Sequence, residues 1–514
     1  MSKKKKTPTV LVILDGWGMA LPSKGNAVAL ARTPCFDSIW ENYSRTLLQA
    51  SGEAVGLPHG IMGNSELGHM NLGAGRIVPS DLVKIDRAIA DGDFFQNPTL
   101  LSATRYVLAH KSNLHLMGLL SDGKVHSSMD HLFALLKLAK KEKVKNVYIH
   151  VFTDGRDTSP QSALKYVSDL EKQIKKLKTG KIVSISGRYY AMDRAHKWNR
   201  TKKVFDMMIH GKDKKAHSAK EAIEESYKKG KSDEFIEPTF ILYNHQRITI
   251  QNNDAIIFFN LRSDRARQLT KPFVLDNFNF FKRGKVPENI FFVGLTSFGD
   301  DLPMMTAFPE SRIEMNLAEA LSQKPRLKQL YITEEEKFGP LAFFFHGGFS
   351  IPFVREKKVM IKSKKVATYD LYPKMSAKEI TDYILKNFSK YDFIGVNYAN
   401  PDMLGHTGNI PAAVKGLEFT DKCLAKVIDK TLKKEGNIIV TADHGNVEEM
   451  IDLETGKVDT KHSTNPVPFI LVGKRFKRQR KKKLREGILG EVAPTILEIM
   501  DIPQPEKMTG KSLL

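Results

Sequence analysis

The stretch Thr9-Val10-Leu11-Val12-Ile13-Leu14, followed directly by Asp15-Gly16, decides the fold class of this chain. Six residues that are all apolar or β-branched, with no alternating polar position, are typical of a parallel strand buried on both faces. Such a strand predicts an α/β sheet flanked by helices. Ligands of open α/β sheets bind at the carboxyl ends of the strands, which is the position of Asp15. An isolated aspartate there would more often begin a turn, so a functional role requires that the pattern recurs.

The pattern recurs at three further apolar strands, predicted at residues 393–398, 438–442 and 469–472. Acids or imidazoles stand at one end of these strands: Asp402 and His406, Asp443 and His444, and His462, respectively. Asp402 and His406 are four residues apart, so one helical turn would direct both at the same point. A lone histidine more often packs or caps than binds a metal. Together with Asp15, however, six such side chains favour a metal site, and the mixed ligand set suits Mn²⁺ or Zn²⁺ better than Ca²⁺.

A second stretch, Gly60-Ile-Met-Gly-Asn-Ser-Glu-Leu-Gly-His69, contains Ser65. Glycines allow tight turns that leave backbone N–H groups free to face an anion, and a serine on such a turn can act as a nucleophile. The G-x-S-x-G spacing of Ser-His-Asp hydrolases is absent, and a serine in such a loop is more often only a turn residue. The candidate metal ligands favour the interpretation of Ser65 as a nucleophile, because a cation bound to the serine oxygen lowers the pKa of the hydroxyl group.

The candidate ligands divide into two groups. The first is a mostly oxygen site that consists of Asp15, Ser65, Asp443 and His444. The second is a neighbouring, more nitrogen-rich site that consists of Asp402, His406 and His462. Two cations roughly 4 Å apart stabilise both the entering and the leaving oxygen in phosphoryl transfer. The sequence therefore favours a two-metal centre that activates Ser65.

The long middle section of the chain has its own alternation of predicted strands and helices. Strands are predicted at 114–120, 147–152, 182–186, 255–260 and 290–296, and helices at 127–143, 160–178 (with Pro160 in its first turn) and 218–229. Glycine and proline mark the joints at 73–79 and 299–312. We therefore expect a metal-binding domain of residues 1–76 and 311–514, interrupted by an inserted domain of residues 77–310.

Arginines follow several strands of this middle section. Each alone would more often form a surface ion pair, but five occur with one histidine and one aspartate: Arg156, Arg188, Arg194, Arg262 and Arg265, with His126 and Asp157. Guanidinium groups bind phosphate and carboxylate in a bidentate manner. The set therefore predicts a site for a small acidic substrate.

Composition limits the class of protein. The 514 residues exceed what one core usually covers, and 41% hydrophobic with 27% charged residues is typical of a globular protein. The cysteines Cys35 and Cys423 have no metal or redox spacing, and no apolar run is long enough for a signal peptide or a membrane span. We therefore expect a cytoplasmic protein without membrane contact.

The net charge of +22 is concentrated in two runs. Four charges lie in Lys3–Lys6 and nine in Lys474–Arg485, which leaves +9 for the rest of the chain. Such runs occur in nucleic-acid-binding proteins, but apart from Phe476 no aromatic residue is interleaved here. A solvated loop and tail is the preferred interpretation, and the basic body would attract an acidic small substrate.

The chain resembles the cofactor-independent (2,3-bisphosphoglycerate-independent) phosphoglycerate mutases of the alkaline phosphatase superfamily. The resemblance covers nearly the whole chain and rests on six ordered motifs: Leu14-Asp-Gly-Trp-Gly18, Met62-Gly-Asn-Ser-Glu-Leu-Gly-His69, Thr153-Asp-Gly-Arg-Asp157, Asn400-Pro-Asp-Met-Leu-Gly-His-Thr407, Thr441-Ala-Asp-His-Gly-Asn446 and His462-Ser-Thr-Asn-Pro466.

The resemblance implies an alkaline-phosphatase-like metal domain with a mostly parallel sheet, interrupted by a second α/β domain. It implies two Mn²⁺ ions, a phosphoserine at Ser65, and interconversion of 3-phosphoglycerate and 2-phosphoglycerate in glycolysis and gluconeogenesis. It also implies the substrate contacts His126, Arg156, Asp157, Arg188, Arg194, Arg262, Arg265 and Lys337. Asp157 would move a proton between the glycerate oxygens, and Lys337 would help to hold the phosphoryl group. We further expect a monomer that binds no nucleic acid.

The chain departs from the family pattern at four positions of the substrate loops. Lys124 and Ser128 replace the usual Gly and His, and Leu261 and Ser263 replace the usual Phe and Pro around Arg262. The contact residues stay in place, and we expect the local loop shapes to differ from those of the family. Alternatives from the same superfamily are a metal-dependent phosphomonoesterase or sulfatase-like hydrolase and a sugar-phosphate mutase. A nucleic-acid-binding protein is the alternative from another class, and it would show affinity that falls steeply with salt.

Overall fold

Thr9–Leu14 forms a central strand of an eight-stranded sheet in the computed structural model of the chain, and all six residues are buried. The structure describes residues 7–212, 214–243, 246–310, 312–477 and 484–514. The basic segment Lys3–Lys6, and residues 478–483 of the basic run 474–485, lie outside the described residues. Within the described residues, no helix is long and apolar enough to cross a membrane.

The described strands are numbered in chain order: β1 (Thr9–Leu14), β2 (Ser44–Gln49), β3 (Leu114–Leu119), β4 (Val147–Thr153), β5 (Lys181–Gly187), β6 (Lys214–Ala216), β7 (Thr239–Ile241), β8 (Ala255–Phe258), β9 (Phe291–Gly294), β10 (Met305–Thr306), β11 (Gln329–Glu334), β12 (Glu356–Ile361), β13 (Phe393–Tyr398), β14 (Asn437–Thr441), β15 (Val467–Val472) and β16 (Gly487–Ile488).

The described α-helices are α1 (Ala27–Leu30), α2 (Pro34–Asn42), α3 (Ser65–Ala74), α4 (Asp81–Asp91), α5 (Pro98–His110), α6 (Met129–Lys141), α7 (Ala163–Leu177), α8 (Arg188–Ala191), α9 (Trp198–His210), α10 (Ala219–Lys228), α11 (Ser263–Val274), α12 (Leu317–Ser322), α13 (Ala377–Asn387), α14 (Asn400–Gly405), α15 (Ile410–Lys433) and α16 (Val492–Ile499). A short π-helix spans Pro340–Phe344.

The chain divides into two compact units, Met1–Ser80 with Ser311–Leu514, and Asp81–Glu310. The second unit begins four residues after position 77, where the insert was expected to start. Val78 N donates to Asn71 Oδ1 (3.0 Å) and Ser80 N donates to Gly56 O (2.8 Å), so these residues are bound to the first unit.

The sheet of the first unit has the order β12-β11-β13-β1-β14-β15-β2-β16. Strands β12, β11, β13, β1 and β14 are parallel, whereas β15 is antiparallel to both β14 and β2. Because β15 runs in the opposite direction, its first residues lie at the same edge as the carboxyl ends of β1, β13 and β14. This explains how His462, which precedes a strand, reaches the edge where Asp15 and Asp443 follow strands.

The sheet of the second unit has the order β10-β9-β8-β3-β4-β5-β7-β6 and is parallel except between β5 and β7. Neighbouring residues of β3 pack on opposite faces, Leu116 in one apolar cluster and Met117 in another. Both units are thus mostly parallel sheets covered by apolar side chains and helices, which confirms the predicted α/β fold class.

The predicted helix 160–178 begins later than expected, at Ala163, so the prediction that Pro160 lies in its first turn is wrong. Asp233 Oδ2 accepts hydrogen bonds from Ser162 N (2.8 Å) and Ala163 N (2.9 Å). A carboxylate seventy residues away in sequence therefore caps the helix, and the local sequence around residue 160 does not indicate this cap.

Candidate active site

Ser65 is the first residue of α3, and the preceding Asn64 caps the helix by accepting a hydrogen bond from Leu67 N (3.0 Å). A side chain at Gly68 would lie 2.4 Å from the carbonyl oxygen of Asp443, so glycine allows the helix to approach the end of β14 closely. Ser65 therefore lies at a helix N-terminus, where backbone N–H groups lack intrahelical partners, rather than inside a turn.

The Ser65 hydroxyl lies between an imidazole and an ammonium group. Its oxygen is 3.0 Å from His444 Nε2 and 2.7 Å from Lys337 Nζ. Lys337 Nζ is also 2.7 Å from Asp15 Oδ1 and 2.5 Å from Asp402 Oδ2. Burial alone would lower the pKa of Lys337, but the charges of Asp15 and Asp402 outweigh burial and raise it. Lys337 is therefore protonated and donates to Ser65.

The group Asp402, His406 and His462 directs three ligand atoms at one point. Nε2 of each histidine lies 3.3 Å from Asp402 Oδ1, and the two Nε2 atoms are 3.1 Å apart. Nδ1 of each ring is 2.8 Å from a backbone carbonyl, of Thr460 and Gly63 respectively, so hydrogen bonding assigns the proton to Nδ1 and a lone pair to Nε2. Two facing lone pairs repel unless a cation binds them, and metal bonds of about 2.0–2.2 Å separate neighbouring ligand atoms by roughly 3–3.5 Å.

The group Asp15, Asp443 and His444 is fully buried at the ends of β1 and β14. His444 Nε2 lies 3.6 Å from Asp15 Oδ1 and 3.5 Å from Asp443 Oδ2. Burial and the neighbouring Asp443 raise the pKa of Asp15 to about 6, and burial lowers the pKa of His444 to about 3. Three buried carboxylates, counting Asp402, face the single ammonium of Lys337. Divalent cations would neutralise the excess negative charge, so both groups fit such ions.

Two buried polar residues join these ligands and were not predicted from the sequence. His69 Nδ1 lies 2.9 Å from Ser65 O and 3.0 Å from Asp443 Oδ2, and its Nε2 is 3.0 Å from Asn397 Nδ2. Asn397 Nδ2 also donates to Asp15 Oδ2 (2.6 Å). Asn397 lies at the end of β13, and this strand-end position was the signal that could have identified it.

The second unit holds a cluster around the buried Arg188. Its Nη1 lies 2.6 Å from Asp154 Oδ1 and 2.5 Å from Asp157 Oδ2. Burial alone would raise the pKa of Asp154, but hydrogen bonds from Asp157 N, Ser121 and Arg188 outweigh it and lower that pKa. Asp154 was not predicted as a site residue, although it stands in the Thr153–Asp157 motif. It fixes the guanidinium that in turn contacts Asp157.

His126 lies beside the same carboxylate, with Nε2 3.7 Å from Asp157 Oδ2. Burial and the charge of Arg188 lower the pKa of His126 to about 4. The imidazole is therefore neutral at neutral pH and can donate or accept a hydrogen bond beside Asp157.

The remaining arginines are more exposed. Arg194 Nη1 lies 2.7 Å from Asp264 Oδ2, and Arg262 Nε is 3.9 Å from Asp264 Oδ1. Burial and the charges of Arg194 and Arg188 lower the pKa of Arg265. Asp264, which was not predicted, is thus a shared counterion.

Arg156 is set apart from this cluster by its partner. Its Nη1 faces Glu234 Oε1 at 3.5 Å, and 57% of its side chain is exposed. The structure therefore pairs Arg156 with a different acid from the one that Arg194 and Arg262 share.

The unusual loop residues fit the backbone in two ways. Lys124 has a φ of 55°, in the left-handed region where glycine is favoured, so the Gly-to-Lys difference is accommodated at a strained position. Ser128 caps α6 by accepting a hydrogen bond from Asp130 N (3.2 Å). Ser128 therefore fixes the start of α6, whereas Lys124 occupies a backbone conformation that glycine would adopt more easily.

The fold and the site of the first unit define a metal-dependent phosphotransfer enzyme of the alkaline-phosphatase type. A family model described as "Type I phosphodiesterase / nucleotide pyrophosphatase" matches residues 330–482, and one described as "BPG-independent PGAM N-terminus" matches residues 85–300. The 2,3-bisphosphoglycerate-independent phosphoglycerate mutases of Clostridium acetobutylicum and Clostridioides difficile are each 48% identical to this chain, with 99% of both sequences covered. The chain belongs to the family of 2,3-bisphosphoglycerate-independent phosphoglycerate mutases.

A solved structure of phosphoglycerate mutase from Leishmania mexicana, obtained at low cobalt concentration, is similar to the whole chain. Its TM-score is 0.74 at 28% sequence identity, with 99% of this chain and 98% of that chain covered. The likeness extends over both units, which agrees with the two family models.

Proposed function

We propose that this chain interconverts 3-phosphoglycerate and 2-phosphoglycerate through a phosphoserine at Ser65, without bisphosphoglycerate. The observation that carries the proposal is the position of the Ser65 hydroxyl, 2.7 Å from the Lys337 ammonium and 3.0 Å from His444, beside two sets of metal-ligating atoms. Relatives named as such mutases align with nearly the entire chain, which supports the same reaction here.

Two divalent cations would be held by the groups described above, one by Asp15, Asp443 and His444 with the Ser65 oxygen, and the other by Asp402, His406 and His462. Bound there, they would supply Lewis-acid stabilisation of phosphoryl oxygens and lower the pKa of the serine hydroxyl. The mixed carboxylate and imidazole ligands suit Mn²⁺ or Zn²⁺, and Mn²⁺ is the proposed ion because the family resemblance implies it. Reconstitution of metal-depleted protein with Mn²⁺, Zn²⁺ or Mg²⁺, followed by activity assays, tests this choice.

In the proposed reaction Ser65 Oγ forms a bond to the substrate phosphorus while the bond to the glycerate oxygen breaks. The Ser65 hydroxyl would release its proton to solvent before the transfer, and the Lys337 ammonium would stabilise the resulting serine oxygen and then face the transferred phosphoryl group. The phosphoryl group would also lie at the positive end of α3, whose first N–H groups have no intrahelical acceptor. The second half reverses these steps onto the other hydroxyl of glycerate.

The proposed substrate site is the cluster of the second unit. Arg194, Arg262 and Arg265 would bind the carboxylate and phosphate, and Arg156 would add a further, exposed guanidinium. Asp157 would donate a proton to the leaving glycerate oxygen in the first half and take a proton from the attacking hydroxyl in the second half, with its carboxyl group oriented by Arg188.

A coupled assay tests the reaction. Purified protein with Mn²⁺ and no bisphosphoglycerate should convert 3-phosphoglycerate to 2-phosphoglycerate, detected through enolase. Release of free phosphate without formation of 2-phosphoglycerate would favour the alternative phosphomonoesterase. We also propose a cytoplasmic monomer; sedimentation of the purified chain and cell fractionation test these two points.

A further inference from the structure

Glu448 is a buried acid, 1% exposed, to which the proposed mechanism gives no role. Its Oε2 accepts the backbone N–H of Gly18 (3.0 Å) and of Asn446 (2.8 Å). Its Oε1 accepts the Ser463 hydroxyl and Asn465 Nδ2 (3.1 Å). One carboxylate therefore satisfies four donors, which is the full acceptor capacity of the group.

These donors belong to three segments that carry metal ligands. Gly18 follows Asp15 by three residues, Asn446 follows His444 by two, and Ser463 follows His462 directly. Asn446 extends the connection, because its Nδ2 donates to Asp402 Oδ1 (2.7 Å). Glu448 is thus linked through one residue to Asp402 and through another to His462.

Two glycines make room for this carboxylate. A Cβ at Gly18 would lie 2.2 Å from Glu448 Cδ, and a Cβ at Gly445 would lie 2.5 Å from Glu448 Oε1. Any side chain at either position would displace Glu448. The backbone of both loops is therefore fitted to the buried acid.

The two ligand groups depend on Glu448 to different degrees. The group of Asp402, His406 and His462 is reached through Asn446 and Ser463. The buried carboxylates Asp15 and Asp443 have their own hydrogen bonds to Asn397 and His69.

We propose that Glu448 is a positioning residue that holds Asp402 and His462 at the spacing needed to bind one divalent cation. The inference rests on the proposed two-metal function and adds a residue that sets the affinity of one of the two sites. Partners that orient metal ligands typically change metal affinity by about 10- to 100-fold when they are replaced.

The test is Glu448→Gln in the full chain, with Glu449→Gln as matched control. The amide keeps the shape of the side chain, but its nitrogen cannot accept, so at least one donor loses its partner. Glu449 is exposed and, among the bonds described, accepts only from Asn465 Nδ2 (2.8 Å), which also donates to Glu448. Its replacement therefore makes the same chemical change at the edge of the network and leaves the donors Gly18, Asn446 and Ser463 in place.

Mn²⁺ binding to metal-depleted protein is measured without substrate, by calorimetry and by electron paramagnetic resonance of free Mn²⁺. We expect two binding steps in the wild type and in Glu449→Gln. In Glu448→Gln one step should weaken about 10- to 100-fold while the other is unchanged. Raising Mn²⁺ should then restore kcat with an unchanged KM for 3-phosphoglycerate.

Unchanged Mn²⁺ binding in a folded Glu448→Gln variant, even with a lower melting temperature, would reduce Glu448 to a purely structural role and overturn the proposal. Equal weakening of both steps would overturn its assignment to one group. If Glu448→Gln does not fold, Glu448→Asp is used instead. If both Mn²⁺ binding steps of Glu448→Asp are as strong as in the wild type, the proposal is again overturned. A wild type that binds two Mn²⁺ but lacks mutase activity would overturn the proposed reaction without touching this inference.

Discussion

The ligand cluster of the first unit and the arginine cluster of the second differ in how their charges are balanced. Asp15, Asp402 and Asp443 have side chains that are at most 2% exposed and face one ammonium, that of Lys337. Arg194 and Arg262, in contrast, are 58% and 56% exposed and share one carboxylate, Asp264. The carboxylates of the first cluster are buried and have too little positive charge beside them, whereas the second cluster has an excess of positive charge on side chains that are exposed to solvent.

This difference indicates two ways of binding ions. Buried carboxylates with fixed partners form a site that gains from divalent cations and tolerates few changes. Exposed arginines beside an internal counterion can exchange Asp264 for the anionic groups of a substrate at small cost, because exposed ion pairs contribute little. We therefore expect large, all-or-none effects from changes in the first cluster and graded effects in the second.

Ser65→Ala should have the largest effect. Loss of the nucleophile is expected to lower kcat by at least about 10⁴-fold, in the range found for other covalent enzymes. The coupled mutase assay measures this, and circular dichroism checks the fold. Ser38→Ala, at an exposed serine of α2, is the control and should keep wild-type activity. More than a few per cent residual activity in folded Ser65→Ala would exclude a phosphoserine at this position.

Lys337→Met tests whether the first cluster lacks positive charge. Removing the ammonium leaves three buried carboxylates uncompensated, which is expected to cost about 3–5 kcal/mol of unfolding free energy without metal. Saturating Mn²⁺ should recover much of this loss, because the cations supply charge at the same carboxylates. Thermal and denaturant unfolding with and without Mn²⁺ measure the difference.

Lys365→Met, at an exposed lysine of the same unit, is the control and should unfold like the wild type under both conditions. An equal destabilisation of Lys337→Met with and without Mn²⁺ would contradict the charge argument. It would mean that packing of the lysine side chain, rather than its ammonium, stabilises the cluster.

The sequence predicts much of the first cluster because its ligands lie at the ends of apolar strands. β1 and β13 are continuous buried runs, so their boundaries are given by the pattern itself. The direction of β15 has no such signal, yet it decides that His462 faces the same edge. The roles assigned to these ligands stay predictions until the variants are measured.

The polar residues that hold the ligands could not be predicted in this way. Glu448 accepts from Gly18, 430 positions earlier in the chain, and Asn397 donates to Asp15, 382 positions earlier. Contacts over such separations depend on the completed sheet and leave no periodic pattern in the sequence. Asp233, which caps α7, was missed for the same reason.

The acid limb of activity should depend on metal rather than on the second cluster. The imidazoles of His406 and His462 must be neutral to bind a cation, so protons compete with metal for these ring nitrogens. Raising Mn²⁺ should therefore move the acid limb of kcat/KM to lower pH. If the acid limb of kcat/KM stays at the same pH when the Mn²⁺ concentration is raised, the result would count against these histidines as ligands.

His126 provides the comparison within this experiment. Its pKa of about 4 lies below the ordinary 6.5, so the folded protein keeps it neutral until the pH falls through about 4. The unfolded chain takes up this proton first, so the residue lowers stability as the pH falls from 6.5 towards 4. Because His126 is already neutral above pH 5, His126→Gln should reduce activity to a similar degree at all pH values above 5. It should not shift the acid limb of the pH–activity profile.

Arg262→Ala should have the smallest effect on rate and the most specific effect on outcome. Arg262 is 56% exposed, and its Nε is 3.9 Å from Asp264, so the protein loses little stability without it. A mutase must retain glycerate beside the phosphoserine, since water would otherwise take the phosphoryl group and produce free phosphate. If Arg262 helps to bind glycerate, its loss should lower the mutase rate and raise the share of phosphate released per turnover.

Mutase and phosphate-release assays on the same preparations measure the ratio of the two activities. The control is Arg105→Ala, at an exposed arginine of α5. A lower mutase rate with an unchanged ratio would show that Arg262 binds substrate but does not protect the intermediate, and the graded behaviour expected of the second cluster would then concern affinity alone.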